Sequence, residues 1–209
     1  ELDAIAPHEI WNMARELKPD LEVQLVTLDG TKDVAASNGL RVQAQGQLGA
    51  KRPDIVVVPG GGWMGRSPAG AWAEAQRGAL PTKLAPLHRD GVVMTSVCTG
   101  AMVLARAGLL DGLAATTKSA VVPPERSPME ELQDRHSDVS AVDALLVDSG
   151  SVVTGGGVTL CIDTTLHLIA LRHGAAAADE IARTMEYGAA RAANAARLPT
   201  VSGEIRSPR

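Results

Sequence analysis

The sequence has no phenylalanine, one tyrosine and three tryptophans in 209 residues. A core built on stacked aromatic rings is therefore excluded, and the interior has to be made from Ala, Val, Leu and Ile. Two cysteines exclude a disulfide framework. A net charge of -4 excludes the basic field that recruits nucleic acid or an anionic membrane. No apolar run reaches the roughly 18 residues of a bilayer span. The nearest runs from Gly91 to Ala105, is interrupted by Ser96, Cys98, Thr99 and Gly100, and is closed by Arg106. No leader pattern and no repeat of fixed period are visible. His88, His136, His167 and His173 lack metal-ligand spacing, so no metal is expected.

What is present is ordinary for a globular protein: 45% hydrophobic and 21% charged residues, at a length that fits one domain. Strand and helix signals alternate. Helices are expected over 4–17, 69–88 with a break near Pro81, 99–107, 158–170 and 175–187. Strands are expected over 21–27, 54–58, 92–97, 113–117, 143–147 and 151–154, with a hairpin at 34–36 and 40–44 around Ser37-Asn38-Gly39. Such alternation predicts an α/β fold, doubly wound on a mainly parallel sheet, in which ligands sit beyond the carboxyl ends of the strands. The polar, Pro-bearing stretch 196–209 reads as a loose tail behind a domain spanning 1–195.

Chemistry concentrates at two strand ends. In Val92-Val93-Met94-Thr95-Ser96-Val97-Cys98-Thr99-Gly100-Ala101 a β-rich run ends in a cysteine and small residues open a helix. That pattern builds a nucleophile elbow, in which a sharp strand-to-helix turn exposes the side chain. Free N–H groups at the helix start favour thiolate, so the pKa of Cys98 is expected to be lowered. The bland alternative is a buried small hydrophobe. At the other strand end, Pro59-Gly60-Gly61-Gly62 lets backbone N–H groups point at a ligand, or simply turns the chain. Trp63 and Met64 follow at once and are candidates for an apolar pocket wall. Asp3, before an apolar, Pro-containing helix start, reads by itself as an N-cap. Cys161 reads as core. His8 and the Asp/Glu/Arg cluster at 125–138 read as surface, and Asp163 as a partner to the site or a buried structural acid.

Taken together, LDAIAPHEIW, VVVPGGG, TSVCTGAMVLARAGLLDGLAATT and VVTGGGVTLCID resemble the ThiJ/PfpI superfamily of class I glutamine-amidotransferase-like proteins, over nearly the whole chain. Within it the sequence looks most like the isonitrile hydratase branch, and it shares LD-x-x-x-P and SVCTG with the sensor domains of AraC-type regulators. The resemblance implies a flavodoxin-like sandwich, a cytoplasmic homodimer and no cofactor. It implies that Cys98 is the nucleophile, that Asp3 bonds its sulfur and shuttles a proton, and that Thr99 assists with its hydroxyl and N–H. Gly60 and Gly61 would add N–H groups at the developing negative charge. The implied reaction is hydration of an isonitrile to a formamide through a thioimidate. The alternatives are a ligand-sensing domain, a glyoxalase or deglycase, and a redox-sensing thiol.

Two departures matter. Ala115-Thr116-Thr117 is followed by Lys118 where many relatives carry His, which excludes a Cys-His dyad at that position and places a lysine in the substrate pocket. Pro123, Pro124 and Pro128 reshape one wall. The resemblance also implies a strand ahead of the LD-x-x-x-P helix, so about 10–15 residues are expected upstream of Glu1.

Overall fold

A computed structural model describes residues 1–36 and 38–202. The chain opens with α1 (Leu2–Leu17), then β1 (Val26–Thr27), the hairpin strands β2 (Asp33–Ala35) and β3 (Arg41–Gln43), and β4 (Gly46–Gln47). Next come β5 (Ile55–Val58), α2 (Ala71–Arg77), α3 (Ala79–Arg89), β6 (Val93–Val97), α4 (Gly100–Arg106) and β7 (Ala114–Ala115). The remainder is α5 (Pro128–Arg135), β8 (Ser140–Ala141), β9 (Leu146–Asp148), β10 (Val152–Gly155), a 3-10 turn (Val158–Leu160), α6 (Cys161–His173), α7 (Ala175–Thr184), α8 (Gly188–Arg197) and β11 (Thr200–Ser202).

The main sheet runs β11-β9-β10-β6-β5. Only the β9–β10 pair, closed by the Asp148–Val152 turn, is antiparallel; β11–β9, β10–β6 and β6–β5 are parallel. The fold is therefore α/β on a mainly parallel sheet, as the alternation predicts. Adjacent residues serve opposite faces, because side chains alternate along a strand. Val152 joins the core beneath α2, α3 and α4, whereas Val153 packs with Leu168 of α6 and Trp11 of α1. Leu84, Met94, Met102, Leu104, Leu110 and Ile169 fill the interior, an aliphatic core of the kind the missing aromatics demand.

Several boundaries differ from expectation. The 69–88 helix breaks at Gly78, whose φ of +77° ends α2, and not at Pro81, which sits in the first turn of α3 where no N–H is needed. Of 21–27 only Val26 and Thr27 form a strand, paired with β4 in a small sheet apart from the main one. Two helices went unforeseen. α5 begins at a full capping box, Ser127 with Glu130, behind Pro128 at its first position. α8 is alanine-rich and has no buried residue. The tail expected to be loose instead carries α8 on to Arg197 and then β11, which pairs with β9 through Val201 opposite Val147. Residues 203–209 of that tail, and Ser37 of the expected hairpin turn, lie outside the described residues. No helix among the described residues is long and apolar enough to cross a membrane.

Candidate active site

The site forms where β6 ends. Cys98 follows Val97 with φ of +53°, a left-handed conformation that is strained for a residue with a side chain. The turn is held by the Cys98 N–H donating to the carbonyls of Gly156 (2.9 Å) and Gly155 (3.2 Å). The Thr117 hydroxyl donates to the Cys98 carbonyl at 2.8 Å. The elbow closes only because residue 100 is glycine: a Cβ there would lie 2.1 Å from the Val58 carbonyl oxygen. Cys98 thus sits at the strand-to-helix turn expected for it, with 4% of its surface exposed.

Asp3 is not a helix cap. It occupies the first turn of α1, 5% exposed, with its carboxyl beside the Cys98 thiol. Burial pushes that carboxyl above the ordinary value, opposed by the Cys98 thiol and the Gly60 amide. The expected lowering of the Cys98 pKa does not occur. Burial, followed by the charge of Asp3, pushes the thiol up to about 11. The amides of Val158 and Thr99 act in the opposite sense on the sulfur and are outweighed. An anion packed against the sulfur and the near-complete burial of both groups outweigh the helix start.

The glycine turn has a different arrangement from the expected one. The Gly61 N–H donates to the Thr99 hydroxyl at 3.0 Å, and the Gly60 N–H serves Asp3. A Cβ on Gly60 would stand 2.6 Å from the Thr99 nitrogen and 2.7 Å from the Asp3 Oδ2. The two glycines therefore fix the acid and the threonine at rest, while Thr99 and Val158 supply the amides at the sulfur. The Val158 amide went unforeseen in the sequence. Val158 has φ of +33°, severe for a β-branched residue, and follows a run of three glycines that bends the chain over Cys98.

Trp63 does not line an open wall. It is 3% exposed, packs in the core and donates its indole N–H to Glu131 at 3.2 Å. Met64 is half-buried against the same core. The stem of Lys118 lies over Gly157, so close that a Cβ there would meet its Cγ at 3.3 Å, which puts Lys118 next to the Val158 segment. Among the described residues its ammonium has no ion-pair partner.

The other candidates separate from the site. Cys161 packs with Ala6 and Val97, its thiol pushed up to about 12 by burial and then by the nearby charges of Asp3 and Cys98. Asp163 is the buried structural acid: its Oδ2 accepts from the Tyr187 hydroxyl (2.8 Å) and Asn194 (2.9 Å). His8 interacts with Asn12 on the same helix. Among the described residues no group of three His, Cys, Asp or Glu side chains is placed to hold a metal. A cleft of about 590 Å3 between α7 and α8 contains none of the expected site residues.

Comparison with known proteins gives the arrangement its context. The model of the DJ-1/PfpI family matches residues 1–171. The chain is 30% identical to an isonitrile hydratase of Pseudomonas putida over 191 residues, covering 91% of this chain and 75% of that protein. It is 33% identical to the HTH-type transcriptional regulator CdhR of Pseudomonas aeruginosa over 159 residues, 74% of this chain, and spans only 42% of the regulator's length. A ThiJ/PfpI family protein from Pseudomonas syringae superposes with a TM-score of 0.72 at 23% identity, covering 90% of this chain and 70% of that one.

Proposed function

We propose that this chain, which belongs to the DJ-1/PfpI family, is a cysteine-dependent hydratase that converts a small, uncharged isonitrile to the N-substituted formamide. The observation that carries this reading is the buried acid–thiol pair, Asp3 against Cys98, with no histidine bonded to either among the described residues. A neutral carbon electrophile needs only a nucleophile and a proton returned to the same carbon. A buried pair that holds its proton between oxygen and sulfur supplies both without separating charge in a low-dielectric pocket.

As the sulfur bonds to the terminal isonitrile carbon, its proton passes to Asp3 and from there to that carbon, giving the thioimidate. Water then adds to the same carbon. One of its protons goes by way of Asp3 to nitrogen; the C–S bond breaks, and the sulfur takes the other proton. The sum is R–NC plus water to R–NH–CHO. The amides of Val158 and Thr99 stabilise negative charge on the departing sulfur. The Thr99 hydroxyl, which accepts from the Gly61 N–H, assists at the reacting carbon on this reading. Lys118 lies at the mouth, and the protein works as a cytoplasmic homodimer without a cofactor.

A panel of aliphatic and aryl isonitriles, methylglyoxal and short amides tests this, with wild type and Cys98→Ala run side by side. Formamide from isonitriles alone, lost in Cys98→Ala, is the expected result. Lactate from methylglyoxal, or no hydration of any isonitrile, overturns it. The likeness to CdhR supports a second reading, a ligand-sensing domain. That reading predicts saturable binding of a small molecule that Cys98→Ala retains.

A further inference from the structure

The cluster at 125–138 is not a uniformly solvated face. Glu131 of α5 turns inward and is 4% exposed. A buried carboxylate is unfavourable unless its oxygens are partnered. Here Oε1 accepts from Arg66 Nη2 at 2.6 Å, and Oε2 accepts from the Trp63 indole at 3.2 Å with Arg135 Nη2 at 3.6 Å. Burial pushes the carboxyl up, but Arg66, Trp63 and Arg135 outweigh it and hold it below the ordinary value.

Both main partners belong to the loop that carries the glycine turn. Arg66 lies over the Trp72 ring at 4.1 Å, and Trp72 meets Trp63 edge-on at 5.0 Å. The loop has no slack: Gly61 C=O accepts from Ala71 N–H (2.9 Å), Gly62 C=O from Ser67 N–H (2.9 Å) and Trp63 C=O from Arg66 N–H (3.1 Å). A Cβ on Gly62 would stand 2.5 Å from the Ala69 carbonyl, and one on Gly70 2.8 Å from that of Gly61. Movement of Trp63 therefore carries Gly61 and Gly60 with it.

We propose that Glu131 is a positioning residue for the Cys98 site: through Trp63 and Arg66 it sets the glycine turn, and so holds the Gly61 amide on Thr99 and the Gly60 amide beside Asp3. An apolar residue would anchor α5 to the core equally well. A carboxylate bonded to an indole N–H and one guanidinium, with a second guanidinium ion-paired to it, fixes direction as well as contact. The inference rests on Asp3, Thr99 and Cys98 being the reacting groups.

Alkylation of Cys98 by iodoacetamide in short pulses between pH 7 and 12, followed by mass spectrometry of the Cys98 peptide, reads the sulfur and its neighbours without any turnover. It stays decisive even if no isonitrile is hydrated. Glu131→Gln is expected to change the alkylation rate at fixed pH by about fivefold or more and to shift the pH midpoint. Where hydration is measurable, kcat should fall about tenfold or more with KM within about twofold, the signature of misplaced reacting groups. Glu130→Gln, which keeps the α5 capping box, should match wild type. A folded Glu131→Gln with wild-type rate and midpoint, or one no different from Glu130→Gln, overturns the proposal. If Glu131→Gln does not fold, Trp63→Phe, which removes the indole donor and part of the ring's packing, is read against Trp72→Phe, which removes packing alone from the same pair; equal rates and midpoints in the two overturn the proposal.

Discussion

Replacing Asp3 with Asn should speed alkylation of Cys98 near neutral pH while stopping turnover. With the thiol at about 11 against an ordinary 9.0, about one site in 1,000 is thiolate at pH 8, where an ordinary cysteine shows about one in ten. The thiolate population is thus about 100-fold smaller. Nucleophilicity rises with pKa at a Brønsted slope of about 0.4–0.5, which returns roughly six- to tenfold and leaves attack slower by about tenfold. Asp3→Asn removes the carboxylate charge, second only to burial among the causes that raise the thiol, and leaves the opposing amides of Val158 and Thr99 in place. The midpoint should fall, and each unit of fall should raise the rate at pH 8 about threefold, because tenfold more thiolate meets about threefold lower nucleophilicity. Stopped-flow alkylation across pH 7–12, in pulses too short for alkaline unfolding, gives both midpoints, and their comparison cancels access to the buried sulfur. Isonitrile hydration by the same variant should be lost, since Asn cannot carry the proton. A wild-type midpoint at or below 9, or an Asp3→Asn rate at pH 8 no faster than wild type, would show that burial and the Asp3 carboxylate do not hold the thiol up.

Gly60→Ala should lower turnover about 100-fold, because its Cβ displaces Thr99 and Asp3 from positions where an ångström matters; steady-state kinetics checks it. Gly100→Ala should destabilise by more than the roughly 1–3 kcal/mol of ordinary overpacking, since its neighbour is backbone and cannot rotate away; urea denaturation reads this. Lys118→Met should slow alkylation of Cys98 by iodoacetate but not by iodoacetamide if the ammonium lies at the mouth; equal effects on both reagents would remove it from the pocket. Burial raises the pKa of Asp163 in the folded state. Its stability contribution is therefore full below the ordinary 3.8 and lost as pH rises through the raised folded value. Asp163→Asn should remove that slope from urea midpoints measured between pH 3 and 7.

The elbow was legible because its requirements are local. A β-rich run, a cysteine and Gly100 at the one place where a Cβ meets the Val58 carbonyl leave little choice of turn. The α/β fold on a mainly parallel sheet followed from strand–helix alternation. The helix at Pro128–Arg135 is equally local, written in Ser127, Pro128 and Glu130, although the stretch also reads as Pro-rich and charged. What no local pattern reveals is which charge turns inward. Glu131 is buried and Glu130 capped in solvent one position away, and only the arrival of Trp63 and Arg66 from 65 to 68 residues upstream decides between them.

The upward direction of the Cys98 pKa has the same origin and bears on the chemistry. From sequence, the helix start is visible and the partner is not, so the thiol looks activated in advance. In the folded chain Asp3 arrives from the far end of the sequence and meets the sulfur where both are buried. A thiol held up to about 11 is a poor standing nucleophile and a poor redox sensor, because oxidation follows thiolate exposure. On the proposed function it becomes a good one only as a substrate arrives that accepts the sulfur and gives the proton a place to go. On the same reading such a pair discriminates by mechanism: reagents that need preformed thiolate react about tenfold more slowly, and electrophiles that take up a proton as they are attacked are favoured.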